Sequence, residues 1–244
     1  GAGDVLRSFG EIDPDGKWWY SDAAAAAEAN AAAANWVPLT WRQLGEVLSD
    51  RQRPVRTSAE LRELIADTLN AMSGTWLRTS NRSHALWNES PRSPKVENAF
   101  SDEVCRYLDT QLGPGTVVDR EVELRRQEPT GFGDSVDLLV TATGEDATIS
   151  VPVECKLVFN KDLETSVDSQ LAHRYLGMTG RRDGVYAVAW FDTKDWDSSD
   201  ANRRRAQKWS MESLETRLRE LADVAGERHG VTIAVAVVDG SWAA

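Results

Sequence analysis

A glutamate and a lysine stand two residues apart in a stretch that otherwise has the apolar composition of a β-strand. The stretch is VPVECKLVF, residues 151–159, and the two charged residues are Glu154 and Lys156. Side chains two apart on a strand point to the same face of a sheet, and burying an unpaired charge is costly. Either this face meets water and carries a surface salt bridge, or the two side chains share a chemical task.

The preceding strand-like stretch, 135–143, supplies a second carboxylate to the same face. A two-residue hairpin turn at Glu145 and Asp146 places Asp137 directly opposite Glu154. Opposed residues of antiparallel strands have Cβ atoms about 4.5–5.5 Å apart, so two carboxylates in a surface ladder would repel each other. Two carboxylates beside a lysine instead suit a hard divalent cation with a cationic group next to it.

The elements that would position these residues follow one another from about residue 95. Alternating and helical patterns of apolar residues predict an α/β order, α-β-β-β-α-β-α-β, with an antiparallel meander followed by crossovers to parallel neighbours. Pro152 removes one ladder donor from its strand, which is tolerable if that strand lies at a sheet edge. The predicted helices span 96–112, 162–178 and 210–228, and the predicted strands span 117–125, 135–143, 148–159, 184–191 and 231–239.

The motif Asp137-x16-Glu154-Cys155-Lys156, on the second and third strands of an αβββαβ core, resembles the PD-(D/E)XK nuclease superfamily. The resemblance covers residues 95–191 and extends toward residue 240. It implies the restriction-endonuclease-like fold, a central mixed sheet flanked by helices. It also implies that Asp137 and Glu154 bind a metal, while Lys156 orients water or offsets charge. The proline of the family's name is replaced by Val136.

Two further site residues are implied by the same resemblance. Many members carry a glutamate on the first core helix, which corresponds to Glu97 as a third metal ligand, and some carry a catalytic glutamine that corresponds to Gln170. Without the resemblance, Glu97 is an ordinary first-turn acid favoured by the helix dipole, and Gln170 is a solvated helix residue. One subgroup places a tyrosine four residues after the glutamine, where this chain has Arg174 followed by Tyr175.

Residues 1–94 are predicted to form an N-terminal helical and loop region, in front of a nuclease domain at 95–244. Helices are expected in the Ala-rich segment 23–34, at 40–50 and from the capping pair Thr57 and Glu60 onward. Within this region, residues 51–94 carry seven arginines against four acids, in a chain whose net charge is −11.

Five arginines are predicted to contact nucleic acid. Two belong to the basic segment 51–94, one follows Gln170, and two belong to the sequence RRRAQK at 203–208, which is otherwise a solvated loop. Trp76 and Trp87 of the basic segment are expected to pack rather than to stack on bases. The five predicted contacts are Arg78, Arg82, Arg174, Arg203 and Arg204.

Composition limits the compartment and the class of protein. The chain has two cysteines, Cys105 and Cys155, too few for a disulfide framework, so we expect a reducing, cytoplasmic environment. No apolar run reaches the roughly 18 residues of a membrane span, and we expect no membrane partner. The chain begins without methionine, which suits a piece of a larger protein with further domains or a partner subunit.

These features predict an Mg²⁺-dependent or Mn²⁺-dependent nuclease that hydrolyses phosphodiester bonds. DNA is the expected substrate by analogy with the family, in a bacterial-type restriction, defence or DNA-processing role. Two alternatives stay open: a non-catalytic nucleic-acid or protein-binding module on the same fold, and a nuclease that cleaves RNA.

Overall fold

The computed structural model describes residues 55–79, 82–113, 115–126, 133–143 and 148–242. The predicted helices at 23–34 and 40–50 lie outside these ranges. The part from Gln52 to Ala244 forms one compact unit. In the described part of the chain, no helix combines the length and the apolarity needed to cross a membrane.

A five-stranded mixed sheet lies at the centre of this unit. The order of its strands is β3 (Thr116–Arg126), β4 (Gly133–Thr143), β5 (Thr148–Leu157), β6 (Asp183–Trp190) and β7 (Thr232–Asp239). Strands β3, β4 and β5 are antiparallel, whereas β6 is parallel to β5 and β7 is parallel to β6. The predicted α/β class, with a meander followed by two parallel crossovers, is therefore confirmed. Two further strands, β1 (Trp87–Glu89) and β2 (Arg92–Pro94), form a separate small hairpin.

The register of β4 on β5 is the one that the hairpin predicts. Leu138 lies opposite Val153, and the pairing continues without a shift to the end of both strands. The predicted turn residues, 144–147, lie outside the described ranges. The condition that β5 lies at a sheet edge is not met, because β5 is the middle strand. Pro152 is tolerated there because the ladder between β5 and β6 begins one residue later, at Val153.

Helices cover both faces of the sheet. On β6, Asp183 accepts a hydrogen bond from Ser58 of the first helix, whereas a Cβ atom on the next residue, Gly184, would meet Leu171 and its helix. Consecutive strand residues point to opposite faces, so these two helices lie on opposite sides of the sheet. The α-helices are α1 (Ser58–Met72), α2 (Glu97–Gln111), the short α3 (Arg203–Ala206) and α4 (Met211–His229), and π-helices span Ser73–Arg78 and Val167–Leu176.

The first helix belongs to the same core as the sheet. The side chain of Thr57 caps α1 by accepting a hydrogen bond from the Glu60 amide at 3.1 Å, as the capping pair predicts. Its apolar stripe, which includes Leu61 and Ile65, is fully buried against the rest of the core. The predicted boundary between residues 94 and 95 therefore falls inside one compact unit.

A buried glutamate on α2 ties the basic segment to the core. The guanidinium of Arg82 donates to both carboxylate oxygens of Glu103, at 2.8 and 3.0 Å, and Trp76 Nε1 donates to one of them at 3.1 Å. Arg106 donates to the other oxygen at 2.5 Å. Burial alone would raise the pKa of Glu103, but these hydrogen bonds outweigh burial and lower it. Glu103 therefore stays ionised and braces the segment before β1.

The other predicted contacts of this segment are also engaged within the protein. Arg78 forms an ion pair with Asp239 at the end of β7. Trp87 is buried and donates from Nε1 to the carbonyl of Gly240 at 2.8 Å, so its packing role is confirmed. Nucleic-acid contact by Arg78 and Arg82 stays a prediction, and the structure assigns both side chains a bracing role as well.

The brace gives a first test. Replacing Arg82 by alanine leaves the Glu103 carboxylate buried without its two-pronged partner, and should lower the free energy of unfolding by roughly 1–3 kcal/mol. Arg106→Ala is the matched control, because the Arg106 side chain is 58% exposed and its loss should cost less than about 1 kcal/mol. Urea unfolding at neutral pH measures both. Equal losses would show that Arg82 is not the main support of Glu103.

Candidate active site

Two carboxylates from separate parts of the chain, Glu97 and Glu154, meet at the lysine of β5. Lys156 Nζ donates to Glu154 Oε1 at 2.6 Å and to Glu97 Oε1 at 2.9 Å. Glu154 is 2% exposed and Lys156 is 6% exposed. Glu97 is the first residue of α2, where the helix dipole favours an acid. The pair in the apolar strand is thus a buried cluster and not a surface salt bridge.

Asp137 joins the cluster by bonding to the backbone of β5. The paired register of β4 and β5 ends at Leu138 and Val153, and beyond this point the Asp137 carboxylate accepts a hydrogen bond from the Cys155 amide at 2.8 Å. This bond fixes Asp137 beside Glu154, its predicted neighbour. The sequence therefore places the two carboxylates correctly, and Glu97 joins them as the family resemblance implies.

Asn160, in the loop after β5, is a member of the cluster that the sequence does not single out. Its side-chain amide donates to Glu97 Oε2 at 2.7 Å, while its side-chain oxygen accepts from the Asp162 amide at 2.9 Å. Glu97 is therefore held from one side by Lys156 and from the other by Asn160. An asparagine that follows a strand looks like an ordinary loop residue, and only the position of α2 reveals its partner.

Crowding of the carboxylates changes their acidity. Burial, followed by the charge of Asp137, raises the pKa of Glu154 to about 8, although the charge of Lys156 and its hydrogen bond oppose the rise. Burial also raises the pKa of Asp137, although the Cys155 amide, Lys156 and Arg120 oppose this. The folded chain without a bound cation therefore favours keeping one proton on the buried pair.

The pKa of the lysine is raised as well, but burial acts on it in the opposite direction. Burial alone would lower the pKa of Lys156, but Glu154 and Glu97 more than offset burial, and the pKa is raised above its ordinary value. The side chain is therefore an ammonium throughout the neutral range. Three carboxylic acids surround this single ammonium, so their complete ionisation leaves an excess of negative charge that a divalent cation would balance.

The donor set fits a hard cation in its chemistry. Carboxylate oxygens are the ligands that Mg²⁺ and Mn²⁺ prefer, and Glu154 Oε2 is buried without a hydrogen-bond partner. Among the described residues, however, no three acidic, histidine or cysteine side chains are arranged as a metal-ligand group. In this structure Lys156 draws one oxygen each of Glu97 and Glu154 to its own ammonium.

The π-helix Val167–Leu176 brings Tyr175 towards the Lys156 cluster. Its hydrogen bonds join residues five apart, so side chains five apart lie on nearly the same side, and Tyr175 is five residues after Gln170. Burial, followed by the charges of Glu154 and Asp137, raises the pKa of Tyr175 to about 12. Tyr175 therefore lies within electrostatic reach of the carboxylates. The sequence names this tyrosine only as displaced from a family position.

The remaining predicted residues lie on the π-helix Val167–Leu176, which holds Gln170 and Arg174, and on α3, which holds Arg203 and Arg204. Gln170 is partly buried and its Oε1 atom is shielded without a hydrogen-bond partner. Arg174 and Arg204 are exposed, and Arg203 donates from Nε to the Thr193 carbonyl at 3.1 Å. Catalysis by Gln170 and nucleic-acid contact by the three arginines stay predictions.

Comparisons of this chain with models of known protein families, with curated proteins and with solved structures found no match. The chemistry of the site is therefore argued from its own residues. Its defining feature is a buried ammonium shared by two carboxylates, with a third carboxylate fixed beside them.

The raised pKa of Glu154 gives a test by pH. The ordinary glutamate pKa is 4.5 and the folded value is about 8, so the stabilising contribution of the bound proton is complete below the ordinary value and is lost as pH rises through the folded one. With EDTA present, the stability advantage of wild type over Glu154→Gln should shrink from pH 5 to pH 8, by at most about 1.4 kcal/mol per pH unit. Urea unfolding of both proteins at each pH measures this difference in the free energy of unfolding.

Glu103→Gln is the matched control, because it removes a buried glutamate whose pKa is lowered. The stability contribution of Glu103 is complete above the ordinary pKa of 4.5 and is lost only as pH falls through the lower folded one, so the difference between wild type and Glu103→Gln should stay nearly constant from pH 5 to pH 8. A constant difference between wild type and Glu154→Gln across this range would contradict the account of a proton held on the buried pair.

Proposed function

We propose that this chain is a divalent-metal-dependent nuclease with the restriction-endonuclease-like fold, and that it hydrolyses phosphodiester bonds. The observation that carries the proposal is the buried Lys156 ammonium between Glu97 and Glu154, with Asp137 fixed beside them by the Cys155 amide. The arrangement lies on the second and third strands of the meander, in agreement with the resemblance that the motif predicts. The mixed sheet with helices on both faces also supports the finer assignment of the fold.

Asp137 and Glu154, with Glu97, would hold Mg²⁺ or Mn²⁺. When bound, the cation polarises the phosphate and lowers the pKa of a water molecule, which makes that water a nucleophile at neutral pH. Carboxylates bind a cation only after losing their protons. Because burial raises the pKa of Glu154, we expect the affinity for the cation to increase with pH and binding to release a proton.

The role of Lys156 follows from its charge. A lysine whose pKa is raised stays protonated at neutral pH, so it cannot act as the general base that takes a proton from water. Its ammonium can donate hydrogen bonds to the attacking water or to a phosphate oxygen, and its charge can offset the negative charge that grows on the phosphorane. Catalysis therefore requires the charge and the position of Lys156, not its loss of a proton.

A non-catalytic binding module is the weaker alternative. Burying several ionisable groups together has a desolvation cost that is often not recovered in stability, and a surface made only for binding would not need Glu154 and Lys156 to be almost fully buried. DNA stays the expected substrate by analogy, and the test includes RNA.

The direct test is a cleavage assay. Wild type should cut plasmid DNA, single-stranded DNA or RNA in Mg²⁺ or Mn²⁺ and not in EDTA, whereas Glu154→Gln and Asp137→Asn should cut none of them. Glu215→Gln is the control, because it removes a carboxylate that is paired on the surface with Arg219. Gel electrophoresis of end-labelled substrates measures the products. A wild type that binds Mn²⁺ and nucleic acid but cuts no substrate would support the binding module.

A second test separates the lysine from the carboxylates. Lys156→Met removes a cation that repels the metal, so binding of Mn²⁺ in calorimetry should be retained or strengthened. Cleavage should still fall by roughly 10²–10³-fold, the scale of losing one group that stabilises charge in the transition state. Lys156→Arg is the control that keeps a charge at this position, and it should retain more activity than Lys156→Met. Full activity in Lys156→Met would remove this residue from the mechanism.

Substitutions at Glu154 and Lys156 should also lower stability. Both are nearly inaccessible to solvent, and removing one partner of a buried pair leaves an uncompensated charge. Activity is therefore compared at temperatures where circular dichroism shows each variant to be folded.

A further inference from the structure

A basic groove opens beside the candidate active site. It has a volume of about 240 Å³ and lies between the loop after β5 and the segment that leads into α4. Its lining includes Asn160, Lys161, Arg205, Lys208 and Trp209. We call it the Lys208 groove.

The charge of the Lys208 groove is opposite to that of the whole chain. Three basic side chains line it, from Lys161, Arg205 and Lys208, and Glu164 is the acidic residue of the lining. Glu164 already accepts a hydrogen bond from Arg217 at 2.8 Å, outside the lining. In a chain of net charge −11, this concentration of positive charge selects an anionic ligand with more than one charged group.

The groove is joined to the candidate active site by a shared residue. Asn160 lines the groove and donates its side-chain amide to Glu97 Oε2 at 2.7 Å. Lys161 follows it directly in the loop that leaves β5, the strand of Glu154 and Lys156. A chain of phosphates passing through the active site would therefore meet the groove without leaving the surface of the protein.

An aromatic residue completes the lining. Trp209 is partly buried and packs against the core, and its carbonyl accepts a hydrogen bond from Trp190 Nε1 at 3.0 Å. These contacts hold Trp209 in place at the groove. A fixed aromatic side chain next to basic side chains is the combination that binds nucleic-acid strands, because bases stack on the ring while phosphates meet the charges.

We propose that the Lys208 groove binds the nucleic-acid strand next to the phosphate that is cleaved. Lys161, Arg205 and Lys208 contact backbone phosphates, and Trp209 stacks against a base. This inference rests on the proposed nuclease function and names the surface that guides its substrate. It also moves the contact within RRRAQK from Arg203 and Arg204 to Arg205 and Lys208, because the first two are not among the residues that line the groove.

The test compares two double variants that remove the same charge. Lys161→Gln with Lys208→Gln acts in the groove, where both side chains are exposed. Arg182→Gln with Arg228→Gln is the control. These two residues lie beside Gly230, near the start of β6. Lys156 pairs with β6 near the other end of that strand, so the control charges lie away from the candidate active site. Fluorescence anisotropy measures binding of labelled DNA and RNA, single-stranded and duplex, in Ca²⁺ over a range of salt concentrations.

We expect the groove variant to bind at least about tenfold more weakly than wild type. The slope of log affinity against log salt should decrease by about 0.7–0.9 for each phosphate contact that is lost. The control variant should bind like wild type, and both variants should keep the wild-type melting temperature. The form of nucleic acid that loses most affinity identifies the strand that occupies the groove.

The other outcomes distinguish a failure of the groove proposal from a failure of the nuclease proposal. If wild type binds and cuts nucleic acid and the groove variant matches it in affinity and salt slope, the groove proposal is wrong and the nuclease proposal stands. If wild type binds and the groove variant does not, but wild type never cuts, the groove is supported and the nuclease proposal falls. If wild type neither binds nor cuts DNA or RNA, both proposals are overturned.

Discussion

The constraint on which the candidate site depends is the burial of one ammonium between carboxylates. Lys156 is almost inaccessible to solvent, and its hydrogen bonds to Glu97 and Glu154 replace the water that it loses. That exchange works only if β5 and the start of α2 are held in fixed relative positions. The meander and the covering of both sheet faces supply this rigidity, since helix α2 packs against β3 and β5. The fold can thus be understood as the support of this one contact.

Charge is divided between two adjacent surfaces. The cluster around Lys156 has more acids than bases, which suits a cation, and the Lys208 groove has more bases than acids, which suits phosphates. Asn160 belongs to both. A net charge of −11 is then compatible with a nucleic-acid substrate, because a short-range arrangement of charges and not the total decides what binds at a site.

The features that can be predicted from the sequence are those that the local periodicity of apolar residues controls. The strands and their register follow from alternating apolar residues and a short turn, because a slip by one residue would expose the core face of β4 and β5; Asp137 and Glu154 are placed together for this reason. Contacts between distant elements are not encoded in any local pattern. Arg82 looks like a surface base until Glu103 is seen buried beneath it, and Asn160 and Trp209 gain their roles only from the way loops meet in three dimensions.

The proposed nuclease function requires the buried cluster to bind a divalent cation at Asp137 and Glu154. The most direct measurement is the anomalous scattering of crystals grown in Mn²⁺, recorded on both sides of the manganese absorption edge. The account predicts an anomalous peak within coordination distance of both carboxylates, about 2.0–2.3 Å, with the Lys156 ammonium moved off at least one of its carboxylate partners. A cluster that keeps both Lys156 contacts and shows no peak at saturating Mn²⁺ would contradict it.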